Sequence, residues 1–391
     1  MNKIYNHTSS SIQLKKKEIQ KFNNAHENYF VNFANRNYEK NKPFGNPNEC
    51  ADILYRMGML FSGTKIGRSQ RIGELGCGGG WLSYYISKLG NEVHLMDVSS
   101  EAIKISKELF NEQKVNKNVF FYKLKNDKIN LADNILDRIV VHDAIHHIPN
   151  PDKILAECYR VLKNGGIMGL SECGPIHSKV PAIVDCVTKT GILERDLTFE
   201  DLKKISHNAG FSEIKIKPYI SVNWLEIKID DLEKLINNNQ QIINNSDIIN
   251  AFSAGDQTMA FLYKGKFNYD TTYPNNPRAK IELISKINKG RTTEIELSVE
   301  NIGDTTFITK SSNLGGFCKL GCHLLDKNQK NLNFDFIHHS LENFDNIKPG
   351  DKISLKLSVR SDYIENYLLE FDIVIEKICW LAYMGSKTLK I

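Results

Sequence analysis

The sequence predicts an α/β domain, a mostly parallel sheet with flanking helices, followed by a second domain that is all β. Three observations carry that prediction. From residue 71, short apolar runs alternate with segments of helical period, as parallel strands joined by crossover helices require. A glycine-dense turn, "GELGCGGGW" from Gly73 to Trp81, separates the first run from the first helix. After about residue 268 the helical period disappears, and apolar runs are punctuated by Asn-Ile-Gly, Lys-Asn and Pro-Gly turns.

Taken in order, residues 11–38 are polar and Asn/Lys-rich with scattered aromatics (Phe22, Tyr29, Phe30, Phe33), a helical and lid-like segment. A helix then opens with Asn46 as N-cap, Pro47 at the first helical position and Glu49 three residues after the cap. Ala51, Leu54, Met57 and Phe61 recur at helical spacing and predict its apolar face. "RIGEL" is the first strand, Trp81–Leu89 a helix stopped by Gly90, and "EVHLMDV" the second strand. A helix capped by Ser99 or Ser100 follows, then strands over "NVFFYKL" and "LDRIVVHDA". The next helix is expected from Pro151 to Lys163, ending on Gly165-Gly166, before a fifth strand, "IMGLSE". Thr198 caps a helix over "FEDLKKISHNAGF", and "SEIKIKPYI" and "QTMAFLYKGK" close the sheet on either side of the Asn-rich "INNNQQIINNSDIIN". "NYDTTYPNNPRAK" reads as a linker. Beyond it, "TEIELSVENIG", "KLGCHLLDKNQK", "KISLKLSVRS" and "YLLEFDIVIE" read as strands of a sandwich. The expected divisions are 1–45, 46–267 and 268–391.

Composition narrows the classes. A chain of 391 residues suits two domains. Its 51 Lys and Arg are interleaved with 46 Asp and Glu for a net charge of +5, so no nucleic-acid partner is expected. Lys15-Lys16-Lys17, followed at once by Glu18, is a solvated helix face. No run approaches the ~18 apolar residues of a membrane span, and the N-terminus lacks the apolar core of a signal peptide. The eight cysteines are scattered without a CxxC pair, and Cys318, Cys322 and His323 lack a second ligand pair. Reduced thiols, a cytoplasmic location and no metal are the expectation.

The glycine turn excludes two ligand classes. A dinucleotide fingerprint started at Gly76 or Gly78 reaches Trp81 or Ser83 where its third glycine belongs, and a P-loop would need Lys and Ser or Thr after Gly80. What remains is E-x-G-x-G-x-G over Glu74, Gly76, Gly78 and Gly80. "ELGCGGGWLSYYISKLGNEVHLMDVS" resembles the cofactor-binding start of class I S-adenosylmethionine-dependent methyltransferases, and "HDAIHHIPNPDKILAECYRVLKNGG" resembles their segment after the fourth strand. The resemblance spans roughly 45–265 and implies a Rossmann-like methyltransferase sheet with S-adenosyl-L-methionine as cofactor. It implies cofactor contacts from Glu74, Gly76, Cys77, Gly78, Gly80 and His142. It also implies that Asp97 holds the ribose hydroxyls and that Asn126-Asp127 meet adenine, with a plain loop carboxylate the alternative for Asp127.

A sulfonium methyl needs an aligned acceptor, exclusion of water and, for a hydroxyl acceptor, a base. His142, Asp143, His146 and His147 lie at the end of the fourth strand. His146 or His147 suits the base, with packing as the alternative role, and Glu172 and His177 after the fifth strand are the next candidates. The last 117 or so residues resemble the β-sandwich carbohydrate-binding domain of some polysaccharide-export ATPases. There Trp380 and Tyr383 either stack on a sugar or pack in the core. Together these resemblances imply methylation of a sugar hydroxyl, on a nucleotide sugar or glycan end, in surface polysaccharide biosynthesis. A small-molecule methyltransferase with a dimerising sandwich and a non-catalytic glycan-binding protein are the alternatives, and a homo-oligomer is left open.

Overall fold

The computed structural model describes residues 16–174, 177–217, 219, 257–313 and 315–391. The chain divides into two compact units, Met1–Ile66 with Gln70–Phe267, and Gly67–Ser69 with Asn268–Ile391. The Asn-rich stretch 236–250 and parts of the expected strand 212–220 lie outside the described residues. Among the described residues, no helix is long and apolar enough to cross a membrane.

The first unit runs α1 (Lys16–Asn32), α2 (Arg36–Asn41), α3 (Pro47–Thr64), β1 (Arg71–Leu75), α4 (Trp81–Lys88), β2 (Glu92–Asp97), α5 (Ser100–Glu112), β3 (Val119–Lys123) and β4 (Leu136–His142). It continues with α6 (Pro151–Val161), β5 (Leu162–Cys173), α7 (Pro181–Thr190), α8 (Phe199–Ala209), β6 (Glu213–Lys217) and β7 (Gln257–Tyr263). The strands form one sheet in the order β3-β2-β1-β4-β5-β7-β6. The first five are parallel, and β7 is antiparallel to β5 and β6. Helices cover both faces. Ile154 and Leu155 of α6 and Leu202 and Ile205 of α8 pack on one side, while α3, α4 and α5 bring Leu60, Leu82, Ile86 and Phe110 to the other. Strands covered twice must be apolar throughout, and Ile139, Val140 and Val141 of β4 are fully buried. The α/β expectation is met, and the caps at Asn46, Ser99 and Thr198 each accept a backbone N–H as expected.

Two expectations are corrected. The buried face of α3 is Ile53, Arg56, Leu60 and Gly63 rather than Ala51, Leu54, Met57 and Phe61; Leu54 is 36% exposed. The stripe was hidden because its second member is an arginine, held inward by Asp52 and Asp143. The helix expected to reach Lys163 ends at Val161, and β5 begins at once with Leu162 paired to Leu136. Lys264 drives that early stop: its Nζ donates to the carbonyls of Tyr159 (2.6 Å) and Leu162 (2.7 Å), and its own carbonyl accepts from Gly165 N (2.6 Å).

The second unit contains β8 (Tyr269–Asp270), β9 (Ala279–Asn288), β10 (Thr292–Asn301), β11 (Thr305–Thr306), β12 (Cys318–Leu325) and β13 (Asn331–Ser340). It ends with β14 (Lys352–Arg360), α9 (Ser361–Asn366), β15 (Leu368–Ile375), β16 (Cys379–Trp380) and β17 (Leu389–Lys390). One antiparallel sheet has the order β14-β10-β9, and a second has β13-β12-β15-β16 with β17 on β15. Ile295, Leu297 and Val299 of the first share a core with Leu320, Cys322, Phe371 and Ile373 of the second. The expected linker therefore already contains β8 and leads straight into β9. Trp380 is 8% exposed and covers Gly321, where a Cβ would lie 2.2 Å from the indole, so it packs inside; Tyr383 is 74% exposed.

Close approach of α3 to the sheet makes a direct prediction. A Cβ at Gly63 would stand 2.0 Å from the Phe261 ring. Gly63→Ala should therefore lower the urea stability of the first unit by about 1–3 kcal/mol, and Phe261→Leu in the same chain should restore part of the loss.

Candidate active site

The turn after β1 is shaped by two neighbours. Gly76 N and Cys77 N both donate to Met96 O, at 2.8 and 3.2 Å, which ties the turn to the end of β2. Gly76 has φ +70°, and a Cβ there would lie 2.3 Å from the Ala144 Cβ, so only glycine lets the turn rest on the end of β4. Gly78 also has positive φ (+49°), and a Cβ there would meet Phe30 (3.6 Å) and Glu39 (3.7 Å) at ordinary contact distance.

Gly76, Cys77 and Gly78 line a cavity of about 280 Å³ at the carboxyl ends of β1, β2 and β4. Strand order reverses between β1 and β4, the place where open α/β sheets bind ligands. Phe22, His26, Tyr29 and Phe30 of α1 line it from one side, and Leu124, Asn126, Asp127 and Ile148 from another. Asp97, 2% exposed, accepts from Gly78 N (3.0 Å) and Ser99 N (2.8 Å), with His26 Nε2 at 3.7 Å. Burial pushes its carboxyl up, but His26 and the two N–H groups outweigh burial and hold it below its ordinary value. Asn126 and Asp127 form a turn with φ of +54° and +57°, and Asn150 Nδ2 donates to Asp127 at 2.8 Å.

Glu74 lines the cavity but spends one oxygen on Ser83 N at the start of α4 (3.0 Å); burial pushes its carboxyl up to about 8. Cys77 also lines it, with a thiol that burial raises well above its ordinary value. Gly80 is not among the lining residues: it is the N-cap of α4, packed on Ser106. His142 lines the cavity with its Nδ1 3.2 Å from Asp143 and its Nε2 buried without a hydrogen-bond partner among the described residues. Burial lowers its pKa to about 3, so the ring is neutral. Arg56 holds Asp143 at 2.8 Å and fixes the base of that wall.

The remaining candidates separate. His147 lines the cavity; His146, His177 and Glu172 do not. His147 Nδ1 lies 2.7 Å from the Leu193 carbonyl, which can only accept, so Nδ1 carries the proton and the lone pair sits on Nε2. Burial, with His146 nearby, lowers its pKa to about 3. Glu172, fully buried, accepts from Ala144 N and Ile145 N (2.9 Å each) and from His146 Nδ1 (2.6 Å), so it braces the turn after β4. His177 Nε2 reaches Glu194 at 3.0 Å. Sequence reasoning missed His26, Arg56 and Glu194. Phe22, His26 and Phe30 recur every four residues, a stripe that marks one face of α1; Glu194 sits between helices with no pattern to flag it.

With this geometry in place, the family model described as a methyltransferase domain matches residues 73–170, a span that runs from within β1 to within β5. The chain is 30% identical over 103 residues to ubiquinone biosynthesis O-methyltransferase of Xanthomonas oryzae pv. oryzae (strain PXO99A), covering 26% of this chain and 42% of that protein. It is 26% identical over 122 residues to a ubiquinone/menaquinone biosynthesis C-methyltransferase of Pectobacterium carotovorum subsp. carotovorum (strain PC1), covering 30% and 49%. The chain thus spans under half the length of these two relatives. Among solved structures, it is similar to phosphoethanolamine N-methyltransferase 2 of Haemonchus contortus in complex with S-adenosyl-L-methionine. That match has 19% identity and a TM-score of 0.40 and covers 55% of this chain and 53% of that one.

Glu74 generates a pH prediction. Its folded pKa is raised, so the folded state binds the extra proton, and the stability this contributes is present below about 4.5 and lost as pH rises through about 8. Urea unfolding at pH 5 and pH 8.5 should show a larger loss of stability in the wild type than in Glu74→Gln, which has no proton to lose. Equal losses would mean that Glu74 is ionised throughout.

Proposed function

We propose that this chain is an S-adenosylmethionine-dependent O-methyltransferase that acts on a sugar hydroxyl at a glycan end. The observation that carries the cofactor half is the glycine turn and buried Asp97 meeting in one cavity of a methyltransferase domain. The cavity suits this cofactor chemically. S-adenosylmethionine has no phosphate but carries an ammonium and a sulfonium. Besides Glu74, which burial keeps protonated, and Asp143, which Arg56 neutralises, the described lining has the carboxyls of Glu39, Asp97, Asp127 and Glu194 against one lysine, Lys42. Asp97 would hold the ribose hydroxyls, the Gly76–Gly78 backbone would run along the methionine part, and Asn126 and Asp127 would stand by the adenine. Bound there, the cofactor supplies an electrophilic methyl group.

We assign proton acceptance to His147 Nε2: it is the catalytic candidate that lines the cavity, its Nδ1–H is committed to Leu193, and its lowered pKa keeps Nε2 unprotonated though weakly basic. His146 and Glu172 position it: the two imidazole rings are 3.9 Å apart, and Glu172 fixes His146. The same acidic lining favours a neutral hydroxyl over the diphosphate of a nucleotide sugar. The sugar assignment rests on the resemblance of the second unit to a carbohydrate-binding sandwich, which its shared two-sheet core supports. A cytoplasmic location fits the eight unpaired cysteines. The names of the relatives, from ubiquinone and menaquinone biosynthesis, favour a second reading, in which a small molecule other than a sugar is methylated and the second unit serves dimerisation.

Transfer of labelled methyl from S-adenosylmethionine to neutral oligosaccharides, nucleotide sugars and small phenols separates these readings. Turnover confined to phenols would remove the sugar assignment. Two variants should split in the same assay. Asp97→Asn should weaken cofactor binding by roughly tenfold or more, since a charged hydrogen bond is worth about 1.5–3 kcal/mol. His147→Ala should keep cofactor affinity and lose about 10²–10⁴-fold in turnover.

A further inference from the structure

We propose that the first unit binds a divalent transition-metal ion, zinc foremost, on His146, Cys173 and His177, with Glu194, which faces both imidazoles, as a fourth donor. The His146 and His177 Nε2 atoms face the same Glu194 oxygen, at 3.4 and 3.0 Å. Ligands about 2.0–2.1 Å from a tetrahedral zinc stand roughly 3.3 Å from one another. Cys173 offers its sulfur within 4.8 Å of ligand atoms of both His146 and His177.

The surroundings are those of a built site. Glu172 accepts the His146 Nδ1 proton at 2.6 Å, which leaves Nε2 as the free ligand atom, the arrangement in which an outer carboxylate orients a metal-binding histidine. Glu172 is itself held by the backbone N–H groups of Ala144 and Ile145. Charge points the same way. Glu172 and Glu194 have side chains 0% and 5% exposed, and the ion-pair partners of both among the described residues are imidazoles. Buried carboxylates need compensation, and a divalent ion held between them supplies it. His147 stays outside the set because the atom it turns towards Glu194 is Nδ1, at 3.6 Å, and that atom already donates to Leu193 O. The donors come from the turn after β4, the end of β5 and the segments flanking α7, so no spaced motif announces them, and the sequence alone predicts no metal. Glu194 also lines the cavity, which places the ion at its wall.

The test uses the untagged full-length chain, stripped by chelator and titrated with Zn²⁺ by calorimetry, and reads metal uptake rather than turnover. One equivalent should bind. His177→Ala and Glu194→Gln should each weaken binding at least tenfold, and Glu172→Gln about 10–100-fold. His338→Ala, in the second unit, should bind as the wild type does. Circular dichroism checks that each variant is folded. Absence of stoichiometric uptake by the wild type, or uptake unchanged in folded His177→Ala and Glu194→Gln, would overturn the proposal.

Discussion

The site depends on one close approach: the backbone after β1 rests directly on the ends of β2 and β4. Gly76 touches Ala144 with no room for a side chain, and both Gly76 and Cys77 donate to Met96 O. Gly78 N–H then reaches Asp97. Without that approach the turn would rise away from the sheet, Asp97 would lose a backbone donor and the cavity would lose its floor. The parallel strand order makes the approach available, because β1 lies between β2 and β4 at the reversal point.

Around that floor, buried polar groups are spent on holding backbone and one another. Arg56 comes from a helix face that is otherwise apolar and fixes Asp143, whose neighbour His142 forms part of the wall. Glu172 holds the turn that carries His146 and His147. Each removal would leave a buried charge or donor without its partner, at a cost well above that of an exposed ion pair. Such satisfied networks hold a site in one geometry, and the cover supplied by α1 adds His26 to the same system through Asp97.

Much of this was legible in the sequence because the signals are local. Strand-helix alternation, the caps at Asn46, Ser99 and Thr198, and the glycine spacing each depend on neighbours within a turn or two. The α3 face was misread because an inward arginine breaks an apolar stripe, and the α6 end because Lys264, some hundred residues away, stops the helix. The histidines were visible as candidates, but which of them meets the cavity was not. That is decided by Leu193 and Glu194, which reach His146 and His147 only in the folded chain. Strands β9 and β13 escaped for a different reason: β13 is largely exposed, so burial imposes little alternation on it.

The most direct test of the account is hydrogen exchange of the full chain with and without S-adenosylhomocysteine, resolved by peptide mass spectrometry. Ligand should slow exchange across residues 76–80, 97–99 and 126–127, while residues 318–325 of the second unit exchange unchanged. Exchange unaltered at 76–80 and 97–99 under saturating ligand, or slowed only elsewhere, would contradict the claim that the glycine turn and Asp97 form the cofactor site.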